Sequence, residues 1–419
     1  MFKFIHAADL HLDSPLIGLE RYEGAPVARI RGATREALKN LVSLALSEAV
    51  AFVLIAGDLF DGDWKDYNTG LFFVDQMRCL REASIPVFLV SGNHDAASQV
   101  SKSLKMPENV HGFSVKRAET FPLDPPGVAI HGQGFARAAV TSDLASDFPK
   151  ALPGCFNIGL LHTSATGRPG HEPYAPCTLE GLIAKGYDYW ALGHVHKREI
   201  LSPDPLILFS GNTQGRNIRE TGPKGCTLVT VQEGKVLSAD AIDLDVLRWV
   251  LLEIPLSEAR DPDDILERVA ATVHAERNLH SDRLLAMRFL FTGSCSPSTA
   301  LTLHSEQFLN EVRSVATDVG RGDVWVEEVS VHPRLTADLE TLIGRDDPLG
   351  GLLRSIRDLT LSGHAFEALL SDFTDLKKRI PQEILHGSEP LDIDLEERRA
   401  AILEDVKQLL VARLITRTP

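Results

Sequence analysis

Cysteine is scarce in this sequence, and no cysteine pair has a metal-binding spacing. The chain has 5 cysteines among 419 residues and no Cys-x-x-Cys segment. This pattern argues against a disulfide framework and against a thiolate zinc site, and it favours a reducing compartment. Apolar runs long enough to cross a membrane are absent, and the polar N-terminal residues do not form the apolar core of a signal peptide. We therefore expect a cytoplasmic protein without membrane contact.

Basic residues are also fewer than acidic residues. The sequence has 43 Lys and Arg against 58 Asp and Glu, which gives a formal net charge of −15. A field of this sign repels polyanions, so any contact of the isolated chain with DNA is expected to be local and weak. Apolar residues make up 44% of the sequence and charged residues 24%, as in folded rather than disordered proteins.

The length exceeds what one hydrophobic core usually serves, and the pattern predicts three domains. Residues 1–245 alternate short β-rich runs with helical periodicity, which is typical of layered α/β packing. Residues 246–333 repeat this alternation as a compact β-α-β-α-β unit. Residues 334–419 show only helical spacing of apolar residues and predict three amphipathic helices, with Pro348 in the first turn of the first and residues 366–376 in the second.

Polar side chains stand directly after five predicted strands. The strands span residues 2–7, 52–56, 87–90, 158–161 and 189–192. In layered α/β folds, ligands bind beyond the carboxyl ends of the strands, so these side chains should converge in one crevice. The set comprises Asp9, His11, Asp58, Asn93, His94, Asp95, His162, His194 and His196.

Most of these side chains are candidate metal ligands. Carboxylates, imidazoles and one amide oxygen, without thiolates, suit borderline divalent ions such as Mn²⁺, Fe²⁺ or Zn²⁺. In an extended chain, the spacing of Asp9 and His11, or of His194 and His196, points both side chains to the same side. Seven candidate ligands are too many for one ion and suit two ions that share Asp58, an arrangement used for phosphoester hydrolysis. The seven are Asp9, His11, Asp58, Asn93, His162, His194 and His196. Each motif alone is common in ordinary turns, so the prediction depends on all five together.

The segments ADLH, AGDLFD, SGNHD, LLHTS and ALGHVH resemble the five signatures of the calcineurin-like metallophosphoesterases. Their spacing resembles the SbcD-like branch of DNA double-strand-break repair nucleases. The segment HLDSPLIGL, and Asn212 in place of the usual serine, resemble the YhaO-like subgroup. Asp61 stands where archaeal and eukaryotic relatives have a histidine. The likeness implies a two-layered β-sandwich core flanked by helices, a small α/β capping domain and a helical C-terminal tail.

The resemblance also implies a ligand set for each of two divalent ions, with Mn²⁺ expected and Fe²⁺ or Zn²⁺ as alternatives. Asp58 would bridge the two ions. The first ion would be held by Asp9, His11, Asp58 and His196, and the second by Asp58, Asn93, His162 and His194.

Further roles follow from the same resemblance. His94 would face the scissile phosphate as a general acid or transition-state stabiliser, and Asp95 would orient its imidazole. After the last metal motif, Arg216 or Arg219 would contact a phosphate. The alternative is that both arginines lie in a solvated loop.

The implied function is a two-metal-dependent phosphodiesterase, acting as a DNA exonuclease or endonuclease in DNA repair. The helical tail is expected to bind an SbcC-type coiled-coil ATPase, with packing on its own domains as the alternative, and a homodimer is a further option. Two other hypotheses stay open: a phosphoesterase acting on nucleotides, cyclic nucleotides or phosphoproteins, and a scaffold for an ATPase with vestigial catalysis. A competent ligand at every metal position argues against the scaffold.

Overall fold

The structure is a computed structural model of the chain. It describes residues 1–14, 26–61, 67–97, 104–165, 174–257, 259–293, 301, 305–333, 343–358, 400, 402–403, 406–407, 410–411 and 414. The chain divides into two compact units, one of Met1–Val250 with His280–Ala286 and one of Leu251–Leu279 with Met287–Pro419. The three-domain division expected from the sequence stays a prediction.

Twelve strands of the first unit form two six-stranded sheets. Sheet one has the order β12-β11-β1-β2-β3-β4, and sheet two has the order β5-β6-β7-β8-β10-β9, with the following bounds. The strands are β1 (Phe2–Ala7), β2 (Phe52–Ala56), β3 (Val87–Val90), β4 (Val110–Gly112), β5 (Glu119–Leu123), β6 (Val128–Gln133), β7 (Phe156–His162), β8 (Tyr189–Gly193), β9 (Glu199–Pro203), β10 (Leu206–Phe209), β11 (Gly225–Gln232) and β12 (Lys235–Asp243).

Helices cover the outer face of sheet one. The described helices of this unit are α1 (Val27–Ser47), α2 (Tyr67–Glu82), α3 (Asn93–Ala97) and α4 (Leu179–Ile183), with a 3-10 turn at Ala145–Asp147. Apolar residues at helical spacing bury one face of α1 and α2 against the sheet. They include Ala37, Leu38, Leu41, Phe73 and Met77.

Strands β1 and β2 of sheet one bury side chains on both faces. Phe4 and Phe52 stack with ring centroids 4.9 Å apart in the core between the sheets. The residues that follow them, Ile5 and Val53, point the other way, into the core with the helices. This alternation of two apolar faces explains why these strands read as continuous apolar runs. The predicted β-sandwich flanked by helices is confirmed.

Parallel pairing brings the functional ends of the strands to one side. In sheet one, β1, β2 and β3 run parallel, and in sheet two β7 and β8 run parallel. The carboxyl ends of neighbouring parallel strands therefore lie side by side within each sheet. Gly193 at the end of β8 lies so close to Ala56 at the end of β2 that a Cβ built on Gly193 would clash with the Ala56 carbonyl oxygen. The absence of a side chain at Gly193 lets the two sheets approach at the ends that carry the site.

Residues 247–333 show the predicted β-α-β-α-β order. The elements are β13 (Leu247–Pro255), α5 (Pro262–Leu279), β14 (Leu284–Gly293), α6 (Ser305–Gly320) and β15 (Val324–Pro333), and the sheet order is β13-β14-β15.

The predicted start of the helical tail is present. Helix α7 (Pro348–Arg357) begins after Asp347, whose side chain accepts a hydrogen bond from the Gly350 N–H at 2.8 Å. The middle helix, predicted around residues 366–376, lies outside the described residues. No helix in the described part of the chain is both long and apolar enough to cross a membrane.

Gly193→Ala is expected to destabilise the first unit. The new Cβ would meet backbone of β2, which cannot move without separating the sheets. We expect a loss of about 1–3 kcal/mol in the free energy of unfolding, the usual range for overpacking, measured by urea denaturation.

Gly32→Ala is the matched control, because it makes the same chemical change in α1, where a Cβ would meet nothing within 4 Å. It should gain roughly 0.5–1 kcal/mol from the higher helix propensity of alanine. Equal effects of the two substitutions would contradict this account of Gly193.

Candidate metal centre

The polar side chains that follow the strands come together where the two sheets approach. One ligand atom each of Asp9, Asp58 and His162 lies within 4.8 Å of the other two. Sheet one supplies the two carboxylates and sheet two supplies the imidazole. Two further groups meet the same limit: Asp9, His11 and His196, and His11, Asp58 and His94.

The backbone is left-handed where the first two motifs leave their strands. The φ angle is 51° at Asp9, 43° at His11 and 51° at Asp58. The N–H groups of Asp9 and His11 donate to the carbonyl oxygens of Gly57 and Asp58, each at 3.0 Å. The expectation that Asp9 and His11 lie in an extended segment is therefore wrong, since a turn directs both side chains to the site. Such strain is typical of functional sites, where surrounding contacts enforce it.

Asp9 and Asp58 form the acidic centre of the site, and each is 1% exposed. The Asp9 carboxylate accepts from the backbone N–H of His194 at 3.0 Å, and Asp58 Oδ1 accepts from the backbone N–H of His94 at 3.0 Å. Burial, followed by the charge of Asp58, raises the pKa of Asp9 well above its ordinary value, and burial raises the pKa of Asp58 to about 6. Two buried carboxylates that repel each other favour a bound cation.

Three histidines have Nδ1 tied to an acceptor outside this centre. An Nδ1–H group that donates to such an acceptor leaves the lone pair on Nε2, which is the form that binds a metal. Burial lowers the pKa of His11 well below its ordinary value and that of His162 to about 3, so both are neutral at physiological pH. The pairs are His11 with Asp61 Oδ1 at 2.5 Å, His162 with the Ala56 carbonyl oxygen at 2.9 Å, and His196 with Glu220 Oε1 at 2.8 Å.

The Nε2 atoms of these histidines face other acceptors. His11 Nε2 and His196 Nε2 lie 3.3 Å apart, and His162 Nε2 lies 2.9 Å from Asn93 Oδ1 and 3.5 Å from Asp58 Oδ2. Lone pairs that face each other at these distances repel unless a proton or a cation lies between them. Divalent ions would satisfy these atoms, and the oxygen and nitrogen donor set suits Mn²⁺, Fe²⁺ or Zn²⁺. The residues therefore fit the implied ions.

The Asp95 side chain is directed to backbone N–H groups. Its carboxylate accepts hydrogen bonds from the backbone N–H groups of Leu59, Phe60 and Gly92 at 3.0–3.1 Å. These donors occupy the carboxylate, so it fixes the loops that follow β2 and β3, and burial raises its pKa to about 6. The orientation of His94 by Asp95 stays a prediction.

Asp61 is the carboxylate that lies beside His94. Its Oδ1 is 3.5 Å from His94 Nδ1, and the His94 side chain is 42% exposed whereas that of Asp61 is 14% exposed. Burial acts to raise the pKa of Asp61, but the hydrogen bond and charge of His11 outweigh it and hold that pKa well below its ordinary value. Asp61 is therefore an ionised carboxylate shared between a candidate metal ligand and the exposed imidazole of the site.

The two candidate phosphate-binding arginines are placed differently. Arg216 Nη2 lies 3.1 Å from Glu220 Oε1, and its Nη1 lies 3.6 Å from Asp61 Oδ1. Arg219 is exposed, and its backbone N–H donates to Asn217 Oδ1 at 3.0 Å. The structure thus brings Arg216 to the candidate metal ligands and places Arg219 at the surface.

Sequence reasoning missed Asp61 and Glu220 as site residues. Asp61 ends the AGDLFD motif, so its position within that motif was a usable signal. Glu220 lies in the loop between β10 and β11, outside the five signature segments, and it reaches the site through contacts with His196, Asn212 and Arg216. No local pattern indicates such a contact.

Comparison with known proteins identifies two family segments. Residues 2–198 match the calcineurin-like phosphoesterase family, and residues 249–334 match the family described as the middle domain of the metallophosphoesterase YhaO. The first segment contains every candidate metal ligand, and the second covers the β-α-β-α-β region.

Three relatives match about two thirds of the chain or more. The uncharacterized metallophosphoesterase YhaO of Bacillus subtilis is 34% identical over 366 residues, which is 86% of this chain and 88% of the relative. A subunit of the SbcCD nuclease of Staphylococcus epidermidis is 21% identical, and the match covers 73% of this chain and 87% of the relative. The DNA double-strand break repair protein Mre11 of Sulfolobus acidocaldarius is 21% identical, with 66% of this chain and 72% of the relative covered.

Asp58→Asn is expected to stabilise the protein when a chelator keeps it metal-free. Because the folded-state pKa is raised to about 6, ionised Asp58 costs stability above that pH, and the cost disappears below the unfolded pKa of about 3.9. Asparagine does not ionise and keeps the Oδ1 acceptor for His94 N–H. Urea denaturation near pH 7 should show a gain on the order of 1–3 kcal/mol, and the gain should vanish as the pH falls to about 4.

Addition of Mn²⁺ should reverse this order, since an ion that binds only the folded state stabilises it. Wild type should gain stability with rising Mn²⁺ concentration, whereas Asp58→Asn should gain little. If the variant is less stable than wild type in chelator at every pH, Asp58 is not an uncompensated buried charge.

Proposed function

The chain belongs to the calcineurin-like metallophosphoesterase family, and from this premise we propose that it is a two-metal-dependent phosphodiesterase that acts on DNA. Metal-dependent phosphoester hydrolysis is the activity of the family. The observation that carries the proposal is the cluster of buried carboxylates and imidazoles whose potential ligand atoms face one another. DNA as the substrate is supported by the two relatives named for nuclease and DNA-repair roles.

The ligand assignment proposed here is the one that the family resemblance implies, and the clustering of Asp9, Asp58 and His162 and of Asp9, His11 and His196 supports it. Divalent ions held there would supply the activation of a water molecule and the stabilisation of the leaving oxygen of a phosphoester. The acidic centre holds Asp58 between the candidate ligands of both ions, which suits it as the shared ligand. We propose Asp9, His11, Asp58 and His196 as one set and Asp58, Asn93, His162 and His194 as the other.

His94 is suited to donate a proton to the departing sugar oxygen. Its side chain is 42% exposed, so a substrate can reach the imidazole, and its backbone N–H is fixed on Asp58. Asp61, 3.5 Å from Nδ1, holds the ring so that Nε2 points away from this carboxylate. Catalytic hydrogen bonds are often long before the substrate binds, so this distance fits an orienting role.

Arg216 is suited to bind a non-bridging phosphate oxygen. Its side chain is 18% exposed and lies beside Glu220 and Asp61, so the guanidinium stays at the site. Arginine binds phosphate through paired N–H groups, which gives it directional recognition. With a net charge of −15, local contacts of this kind must supply most of the affinity for DNA.

We also propose that the C-terminal helical region binds an SbcC-type ATPase. Ile402, Val406 and Leu410 are four residues apart and between 38% and 43% exposed, whereas Val411 is buried with Ile343. One relative is named as part of the SbcCD nuclease. Deletion of residues 334–419 should abolish binding to such an ATPase while hydrolysis of a small phosphodiester persists. A truncated protein that still binds the ATPase would contradict the proposal.

A direct test of the substrate uses the full chain loaded with Mn²⁺. Linear duplex DNA, single-stranded DNA and bis-p-nitrophenyl phosphate are offered side by side, with chelator as the control. Degradation of DNA is expected. Hydrolysis of the chromogenic diester without attack on any form of DNA would favour the alternative substrates, namely nucleotides, cyclic nucleotides or phosphoproteins.

His94→Ala is expected to lower the rate of DNA hydrolysis by about 100-fold or more, because removal of a general acid typically costs this much. Mn²⁺ affinity should be unchanged, and His274→Ala, at an exposed position of α5, is the matched control. Loss of Mn²⁺ binding in His94→Ala would instead identify His94 as a ligand, as its grouping with His11 and Asp58 allows.

A further inference from the structure

Glu220 is a largely buried carboxylate that receives four hydrogen bonds at the edge of the candidate metal centre. Its side chain is 10% exposed. Oε1 accepts from His196 Nδ1 at 2.8 Å and from Arg216 Nη2 at 3.1 Å. Oε2 accepts from the backbone N–H of Arg216 at 2.8 Å and from Asn212 Nδ2 at 2.8 Å. These donors fill the acceptor capacity of the carboxylate, so its position is fixed.

The bond to His196 sets the state of a candidate metal ligand. Because Glu220 accepts only, it favours the tautomer of the neutral imidazole that has its proton on Nδ1 and its lone pair on Nε2. That Nε2 atom lies 3.3 Å from His11 Nε2 and 4.0 Å from Asp9 Oδ1. Glu220 therefore fixes both the tautomer and the direction of the imidazole toward the centre.

The bonds to Arg216 fix its backbone and its guanidinium. Asn212 and Arg216 belong to the same loop after β10, and Glu220 closes that loop on itself. The guanidinium then spans from Glu220 to Asp61, with Nη1 3.6 Å from Asp61 Oδ1. The charge of Arg216 is thus placed between two carboxylates at the site rather than in solvent.

We propose that Glu220 is a positioning residue that sets His196 and Arg216 as one unit, so that a metal ligand and a phosphate-binding group share a single anchor. This inference rests on the ligand and phosphate-binding roles proposed above. It predicts that one substitution at Glu220 weakens both metal binding and phosphate binding. A residue that only stabilises the loop would change neither affinity in the folded protein.

Glu220→Gln in the full chain is the primary test. Glutamine replaces one acceptor oxygen with an NH₂ donor, so it cannot accept both from the His196 side chain and from the Arg216 backbone N–H. Isothermal titration should show a loss of about 10- to 100-fold in Mn²⁺ affinity, the usual effect of removing a group that orients a ligand. Glu233→Gln makes the same change at an exposed turn and should remain within about twofold of wild type.

The second measurement uses inorganic phosphate as the probe at saturating Mn²⁺. Arg216→Ala should weaken phosphate binding and leave Mn²⁺ affinity within about twofold of wild type. Glu220→Gln should also weaken phosphate binding. In the double variant, phosphate affinity should equal that of Arg216→Ala alone, because Glu220 acts on phosphate only through Arg216, whereas the loss of Mn²⁺ affinity should persist.

Glu220→Asp keeps the proposal testable if Glu220→Gln does not fold. Aspartate keeps the charge but is one methylene shorter, so it cannot reach His196 and the Arg216 loop together. Its thermal midpoint confirms folding, and we expect weaker binding of both Mn²⁺ and phosphate. Wild-type affinities for both probes in a folded Glu220 variant would overturn the proposal. Both readouts are binding measurements and do not depend on hydrolysis. A wild-type protein that binds Mn²⁺ but hydrolyses no phosphodiester would refute the proposed function, and the role of Glu220 could still be tested by binding.

Discussion

The repulsion between Asp9 and Asp58 is the constraint on which the site depends. Both carboxylates are buried, and each raises the cost of ionising the other. Backbone N–H groups of His194 and His94 offset part of that cost. Burial lowers the pKa of His11 and of His162, so these two imidazoles add ligand atoms rather than charge. The protein thus keeps a negative centre that cations complete.

The strands that carry the site were predictable, because each is an uninterrupted apolar run that ends in a polar motif. β1, β2 and β3 have the bounds that the sequence predicts. The strands β4, β5, β6 and β9 were not predicted. In β6, buried His131 breaks the apolar pattern, and its polar atoms are satisfied by Thr120 and Asn157, which lie on other strands. Partners that distant in sequence leave no local signal.

In the site, too, features that follow from the strand pattern were predictable, whereas features that depend on distant contacts were not. The candidate ligands were predictable because the ends of parallel strands must lie together, whatever their loops do. The contacts of Asp95 could not be predicted, because its carboxylate accepts from three backbone N–H groups, and a residue pattern does not indicate backbone donors. Nor could a rule about extended chains foresee the left-handed turn at Asp9 and His11, which depends on contacts with the next loop.

The candidate ligands are divided between the two sheets. Asp9, Asp58 and Asn93 follow strands of sheet one, whereas His162 ends a strand of sheet two and His194 follows another. Either sheet by itself presents only part of each ligand set. During folding, the sandwich must therefore close, with Gly193 against Ala56, before a complete ligand set exists. An ion held by both sheets would in turn act as a cross-link that resists their separation. Because the ligands are divided between the sheets, the chain must fold before it can bind the metal.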